Sequence, residues 1–283
     1  MIPLTPALLR PLLPIRPRDS HKGLFGTVAM IGGAAGMVGA ALLAGRAALK
    51  LGSGCVRVGI LADGAPVVDT AQPELMLLPA AAIFATPFTV LVMGCGMGGG
   101  EAARALLAQG LPCAVPLVLD ADALNLVSQN KALKTALLAR DAATVLTPHP
   151  AEAARLLGCS TQTVQADRVT AVQQLAQQFR CSVVLKGADS LCATQDGRLF
   201  INTTGNSGMS TAGMGDVLAG IIAAFIAQGM RADDALLLGV YLHGAAGDVL
   251  AQQGIAVGMT ATELIETARR VLNQWRLTLM PLG

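Results

Sequence analysis

The residues best placed to do chemistry lie in one run, Gly205-Asn-Ser-Gly-Met-Ser-Thr-Ala-Gly-Met-Gly-Asp216, followed by the apolar stretch Val217-Leu-Ala-Gly-Ile-Ile. Glycines at 205, 208, 213 and 215 let the chain turn with positive φ and present successive N–H groups. With a helix dipole behind them, such donors hold phosphate or developing negative charge. Asp216 stands where the helix begins. A lone Asp there is ordinarily a cap. A cap needs no four-glycine approach, however, whereas a base beside an anion hole does. No Walker A lysine motif accompanies the run, which excludes a P-loop enzyme.

Other candidates are dispersed. His149 sits between Pro148 and Pro150, which fix its backbone and can aim its ring; the alternative is a satisfied structural histidine. Lys186 ends an apolar strand, where its charge needs an anionic partner or a snorkelling path to solvent. Asp120 and Asp122 could hold Mg²⁺ through water, but helix capping is the preferred reading, and the sequence assigns no metal ligands. Gly94-Cys-Gly96-Met-Gly98-Gly99 satisfies the dinucleotide spacing G-x-G-x-x-G. In so glycine-dense a stretch, after two earlier strands, it reads as a tight ligand-facing turn instead. His21 and Lys22 read as exposed polar residues before a strand, and His243 as packed.

These groups must be carried by a regular frame. Apolar runs predict strands over 27–32, 54–60, 88–93, 115–120, 143–147 and 182–186. Helices are predicted over 37–51, 99–109, 122–138 and 161–179, the last with a stripe of Val164, Val172, Leu175 and Phe179. Continuous apolar strands alternating with helices imply an α/β fold, an open and mostly parallel sheet covered by helices on both faces. Asp196-Gly197 marks a hairpin between 190–194 and 198–202. Three helices follow, over about 209–229, 233–253 and 260–274. The expected organisation is a Pro-rich segment, residues 1–20, and one domain over 21–283.

Composition narrows the function classes. The chain has 283 residues, 53% hydrophobic but only 13% charged and 3% aromatic. A mean hydropathy of +0.58 suggests a membrane protein. Yet the uncharged stretches 23–45 and 75–100 are broken by glycine and proline, and 217–230 is too short to span. A net charge of +2 without a basic cluster leaves no footprint for nucleic acid. Five prolines in the first 17 residues rule out a signal peptide. The six cysteines lack zinc spacing and read as reduced thiols in the cytoplasm.

The run ending at Asp216 resembles the anion hole and catalytic Asp of the ribokinase-like superfamily, and more closely the ADP-dependent NAD(P)H-hydrate dehydratases. Matching stretches follow in the same order: His21-Lys-Gly-Leu-Phe-Gly26 with Gly39-Ala-Ala41, Leu119-Asp-Ala-Asp-Ala-Leu-Asn125, Thr147-Pro-His-Pro-Ala-Glu152, Val184-Leu-Lys-Gly-Ala-Asp-Ser190 and His243-Gly-Ala-Ala-Gly-Asp248. The resemblance covers about residues 20–270. It implies repair of hydrated NADH and NADPH: ADP phosphorylates the ring hydroxyl, and phosphate is then eliminated, leaving AMP. Asp216 matches the base and a substrate contact. Gly213, Met214 and Gly215 match the anion hole. Ala41, Gly96 and His149 match contacts with the hydrated cofactor. Lys186, Gly187, Ala188, Asp189 and Ser190, with Gly215, match the nucleotide site.

The chain departs from the family in carrying Met214, where Thr is frequent, and Gly94-Cys95-Gly96, where Gly-Pro-Gly is usual. The resemblance further implies Mg²⁺, a homo-oligomer (a tetramer) and a cytoplasmic location. A fused N-terminal epimerase domain is frequent in the family. The length here leaves no room for one, so epimerisation is expected from a separate protein. The competing readings are a ribokinase-like small-molecule kinase acting on a thiazole or pyrimidine alcohol, and a non-catalytic nucleotide sensor. Scarce aromatics imply a dinucleotide held by backbone and small side chains rather than by stacking.

Overall fold

The computed structural model describes residues 1–279. Its strands are β1 (Ile2–Pro3), β2 (Thr27–Gly32), β3 (Cys55–Ile60), β4 (Met76–Pro79), β5 (Val90–Met93), β6 (Leu117–Leu119), β7 (Thr144–Leu146), β8 (Ser182–Leu185), β9 (Ser190–Ala193) and β10 (Leu199–Asn202). They form one sheet in the order β1-β10-β9-β8-β7-β6-β5-β2-β3-β4. All pairings from β8 through β4 are parallel; β9 is antiparallel to both neighbours. The first residues join this sheet. Ile2 and Pro3 pair with β10, and Leu4 and Leu9 are buried in the core.

The helices are α1 (Pro6–Leu9), α2 (Val38–Lys50), α3 (Glu101–Gly110), α4 (Ala121–Gln129), α5 (Lys131–Leu138), α6 (Pro150–Leu157), α7 (Thr161–Ala166), α8 (Arg168–Phe179), α9 (Met214–Ala227), α10 (Ala232–Gln252) and α11 (Ala261–Leu279). They cover both faces of the sheet. Along β2, Val28 and Met30 point into one core with α2, α9, α10 and α11. Ala29 and Ile31 point into a second with α3, α4, α6 and α8. Strand side chains alternate faces, and here both faces are dry, so the strands read as unbroken apolar runs. Among the described residues, α10 is the helix long and apolar enough to cross a membrane, but it packs between α9 and α11.

Several boundaries differ from the sequence reading. Residues 122–138 are two helices because the Asn130 side chain accepts the N–H groups of Ala132 and Leu133, starting α5 afresh. Asp167 divides 161–179 in the same way, capping α8 through Thr170 N. Helix α9 starts at Met214 rather than 209, after a short 3₁₀ turn over Ser207–Met209. The edge strand β4 ends on Pro79, tolerated where no further strand pairs. Helix α6 was hidden in Thr-Pro-His-Pro: His149 caps it and Pro150 takes its first position.

The order places β2 between β3 and β5, so the chain leaves β2 in one direction and returns on its other side. This switch point, at the carboxyl ends of β2 and β5, is where an open α/β sheet usually has its ligand crevice. There, Gly33 N donates to Cys95 O (3.1 Å) and Ala34 N to Gly96 O (2.7 Å).

Candidate active site

The carboxyl ends of β6, β7 and β8 deliver a polar cluster to one side of this switch point. Asp120 follows β6 and is almost fully buried. Its Oδ1 accepts from Lys186 Nζ (2.7 Å), just beyond β8, and from Thr147 Oγ1 (2.6 Å), just beyond β7. Glu152 Oε2 lies 3.9 Å from the same ammonium. Burial alone would lower the Lys186 pKa, but Asp120 and Glu152 outweigh it and hold the pKa above the ordinary value. Asp122 Oδ2 accepts from Gly98 N (2.8 Å) and so fixes the glycine-rich turn after β5. The capping assignment is therefore corrected: Asp120 stands at the N-cap position of α4 but makes no cap hydrogen bond, bonding Lys186 and Thr147 instead, and Asp122 in the first turn bonds Gly98 N. Ala121 between them takes φ +45°, a strained conformation for a residue with a Cβ.

Asp216 enters from the opposite side, in the first turn of α9. Gly213 before it adopts φ +91°, and no side chain caps the helix, leaving its first N–H groups to another acceptor. A Cβ built at Gly215 would stand 3.3 Å from Lys186 Nζ and 3.5 Å from Asp120 Oδ2, so the backbone there approaches both groups closely. Cys95 Sγ and a carboxylate oxygen from each of Asp120 and Asp216 lie within 4.8 Å of one another. Burial first, and the Asp120 charge second, push the Asp216 pKa up to about 6, against a downward pull from Cys95 and Lys186. Burial, reinforced by the two carboxylates, pushes the Cys95 thiol well up. A carboxylate tuned near 6 is a base at neutral pH, and the thiol beside it stays protonated.

Beside Gly215 opens a cleft of about 490 Å³. Lys186, Gly187, Ala188, Asp189 and Ser190 line one wall, with the 202–207 segment, Met214 and His243 lining others. Its volume is that of a small-molecule site. The 186–190 turn is held by Arg168, which donates to the carbonyls of Ala188 and Leu185, and by Ser190 Oγ to Gly187 O. No sequence signal marked Arg168, a basic residue on a polar helix.

The other expected residues do not line this cleft. Gly96, at φ +58°, lies against Met37 and Ala40, and the fully buried Ala41 packs under the Gly32-Gly33 turn. His149 is half exposed. Its Nδ1 accepts from the N–H groups of Ala151 (3.1 Å) and Glu152 (3.3 Å). That bonding assigns the proton to Nε2, which lies 3.1 Å from Glu152 Oε1. Glu152 thus links His149 to Lys186. Asp216 stands between the two regions, beside Gly215 of the cleft and Cys95 of the switch point. His243 is packed as expected: its Nε2 donates to Met214 O (2.9 Å), and burial holds its pKa down at about 4. His21 and Lys22 are exposed before β2.

An open, mostly parallel sheet in this order, covered by helices on both faces, is the ribokinase-like fold. The chain belongs to the NAD(P)H-hydrate dehydratase family, whose profile matches residues 28–270. It is 46% identical to the ADP-dependent (S)-NAD(P)H-hydrate dehydratase of Neisseria meningitidis, over 92% of this chain and 89% of that one. It is 40% identical to the bifunctional NAD(P)H-hydrate repair enzyme Nnr of Coxiella burnetii, over 93% of this chain but only 54% of that longer protein. The crystal structure of the ADP/ATP-dependent NAD(P)H-hydrate dehydratase of Bacillus subtilis, co-crystallised with ATP and Mg²⁺, superposes with a TM-score of 0.86. That alignment is 30% identical and covers 97% of this chain and 99% of that one.

Proposed function

We propose that this chain dehydrates hydrated NADH and NADPH at the expense of ADP. The observation that carries the reading is a half-buried carboxylate, Asp216, set in the uncapped first turn of α9 between a small-molecule-sized cleft and the carboxyl ends of β2 and β5. Asp216 takes the proton of the ring hydroxyl. The hydroxyl oxygen attacks the β-phosphorus of ADP, and AMP leaves. The new phosphate ester then loses phosphate by carbon–oxygen cleavage while the neighbouring ring carbon gives up a proton, restoring the ring double bond. Hydroxide is a poor leaving group and phosphate a good one, which is why a dehydration can be built on a phosphoryl-transfer fold.

In this reading the N–H groups of Gly213, Met214 and Gly215 receive the charge on the transferring phosphate. The swap of a frequent Thr for Met214 is tolerated because backbone does the work. Lys186 and the 186–190 turn hold the nucleotide. His149, oriented by Glu152, contacts the hydrated ring on the other side of Asp216, while the buried Ala41 and Gly96 act there by keeping the adjoining turns closely packed. Mg²⁺ fits the donor set: Asp120 Oδ1 is taken by Lys186 and Thr147, and Oδ2 turns toward Gly215. A hard cation that keeps its waters needs only one or two carboxylates beside the phosphates. When bound, it offsets negative charge on the phosphate oxygens. A cytoplasmic homo-oligomer, as the family resemblance implies, completes the reading.

The test is a choice of acceptor. Given ADP or ATP, the purified chain is offered hydrated NADH, a thiazole alcohol and a pyrimidine alcohol. Restored absorbance of the reduced ring with release of AMP from ADP supports repair. Stable phosphorylation of either alcohol, with the hydrate untouched, replaces it with a small-molecule kinase. Nucleotide binding without turnover of any acceptor replaces it with a sensor.

A further inference from the structure

The run His243-Gly-Ala-Ala-Gly-Asp248 lies within α10, across the cleft from the nucleotide turn, and none of the chemistry above uses it. Its contacts fall on one segment. Asp248 Oδ2 accepts from Gly205 N (2.9 Å) and its Oδ1 from Asn206 Nδ2 (3.1 Å), so one carboxylate holds the first two residues of the glycine-rich loop. Asn206 relays this inward by accepting Gly208 N (3.0 Å) on its Oδ1. At the other end, His243 Nε2 donates to the carbonyl of Met214 (2.9 Å), the first residue of α9. The positions between them make room. A Cβ at Gly244 would come within 2.2 Å of Thr204 Oγ1, and one at Gly247 within 2.3 Å of Met209 Sδ. Residues 243, 244, 247 and 248 share one helix face, so a single rigid surface meets the loop at its entry, middle and exit.

We infer that this face of α10 is a clamp that positions the anion-binding loop, with Asp248 fixing its start and His243 its end. The inference rests on the proposed function for its catalytic consequence and on geometry alone for its structural one. Glycine-rich backbone is conformationally loose, and an anion hole works only if its N–H groups are already aimed. Four glycines between residues 205 and 215 therefore need an external restraint, and the bonds from α10 supply it. Both residues are positioning residues, acting through the loop.

The test combines four variants with two readouts. Asp248→Ala and His243→Leu remove the bonds. Asp248→Asn keeps an acceptor for Gly205 N, and His243→Gln keeps a donor for Met214 O. Hydrogen exchange across 205–216 is expected to speed up in the first pair and to stay closer to the parent in the second. In the first pair, kcat falls roughly tenfold to a hundredfold; in Asp248→Ala, whose side chain does not line the cleft, KM for ADP stays within about threefold, since misplacement costs the transition state more than ground-state binding. Parental exchange and parental kcat per folded molecule in Asp248→Ala and His243→Leu overturn the clamp, as does activity lost only in step with folded protein. Exchange needs no substrate. A chain that leaves the hydrate untouched while loop exchange accelerates refutes the proposed function and keeps the clamp. Unchanged exchange with dehydration intact refutes the clamp alone.

Discussion

Lys186 Nζ sits 2.7 Å from Asp120 Oδ1, an ion pair that reaches across β7 from the end of β8 to the end of β6. The pair does more than join two strands. Asp120 raises the Asp216 pKa and Lys186 lowers it, so the two partners set the base from opposite directions.

Breaking this pair from the lysine side should be costly. Lys186→Met leaves Asp120 nearly buried without its cation, a loss on the order of 3 kcal/mol for pairs of this kind. The Lys186 pKa is raised above 10.5, so its contribution is fully present at neutral pH and fades only as pH climbs through the raised value. Urea unfolding of Lys186→Met, Asp120→Asn and the double variant checks this. The double variant is expected to be more stable than the sum of the single losses implies. Strict additivity contradicts the coupling.

The pH dependence of turnover should report Asp216. A base must be ionised, so kcat/KM for the hydrate is expected to be flat above about 6 and to fall about tenfold per unit below it. Lys186→Met removes a lowering influence and should move that acid limb to higher pH. Asp120→Asn removes a raising one and should move it to lower pH. Shifts in the reverse directions would rule out this electrostatic account.

Replacing the base trades activity for stability. Asp216→Asn should reduce turnover roughly 10²- to 10⁴-fold, with ADP still bound. A carboxylate raised from 3.8 to about 6 favours the folded state only while protonated. The cost of the charged form grows as pH rises from 3.8 and is complete, at up to about 3 kcal/mol, once pH has passed about 6. The Asn variant is therefore expected to melt higher than the parent at about pH 8 and to lose that margin only below the unfolded-state value of 3.8. Melting curves at about pH 8 and below pH 3.8 decide it; equal margins at both contradict the sign.

His149 carries two duties that substitution can separate. As the N-cap of α6 it resembles Asn in accepting N–H groups, so His149→Asn should keep the melting temperature, while His149→Ala loses about 1 kcal/mol. Both variants remove the imidazole and should raise KM for the hydrate. An unchanged KM in His149→Asn would leave the residue with its cap alone.

The fold was legible because its strands are apolar on both faces and its helices amphipathic or fully buried. The sheet strands from β2 to β8, β4 excepted, and the final helices emerge within a few residues of their observed bounds. Short elements at the edges were not legible: β4 ends on proline, and β1 has two residues. Within the site, the glycine run and Asp216 were visible because their pattern is local. Asp120 was visible but misread, since an acid before a helix suggests a cap, and only the sheet reveals Lys186 and Thr147 beside it. Glu152, Arg168 and Asp248 act on partners brought near by topology, so sequence spacing gave no role for them. Cys95 stands where relatives tend to carry proline, and its neighbours at the site, Asp120 and Asp216, come from distant parts of the chain.

The central claim is that phosphoryl transfer to the ring hydroxyl precedes elimination. The most direct measurement follows that oxygen. Hydrated NADH carrying a heavy oxygen isotope in its ring hydroxyl is turned over with ADP, and phosphate and water are analysed by mass spectrometry. Attack on the β-phosphorus followed by carbon–oxygen cleavage predicts that the label ends in inorganic phosphate, one labelled phosphate for each ring restored. Label released into water, with unlabelled phosphate, would contradict the account.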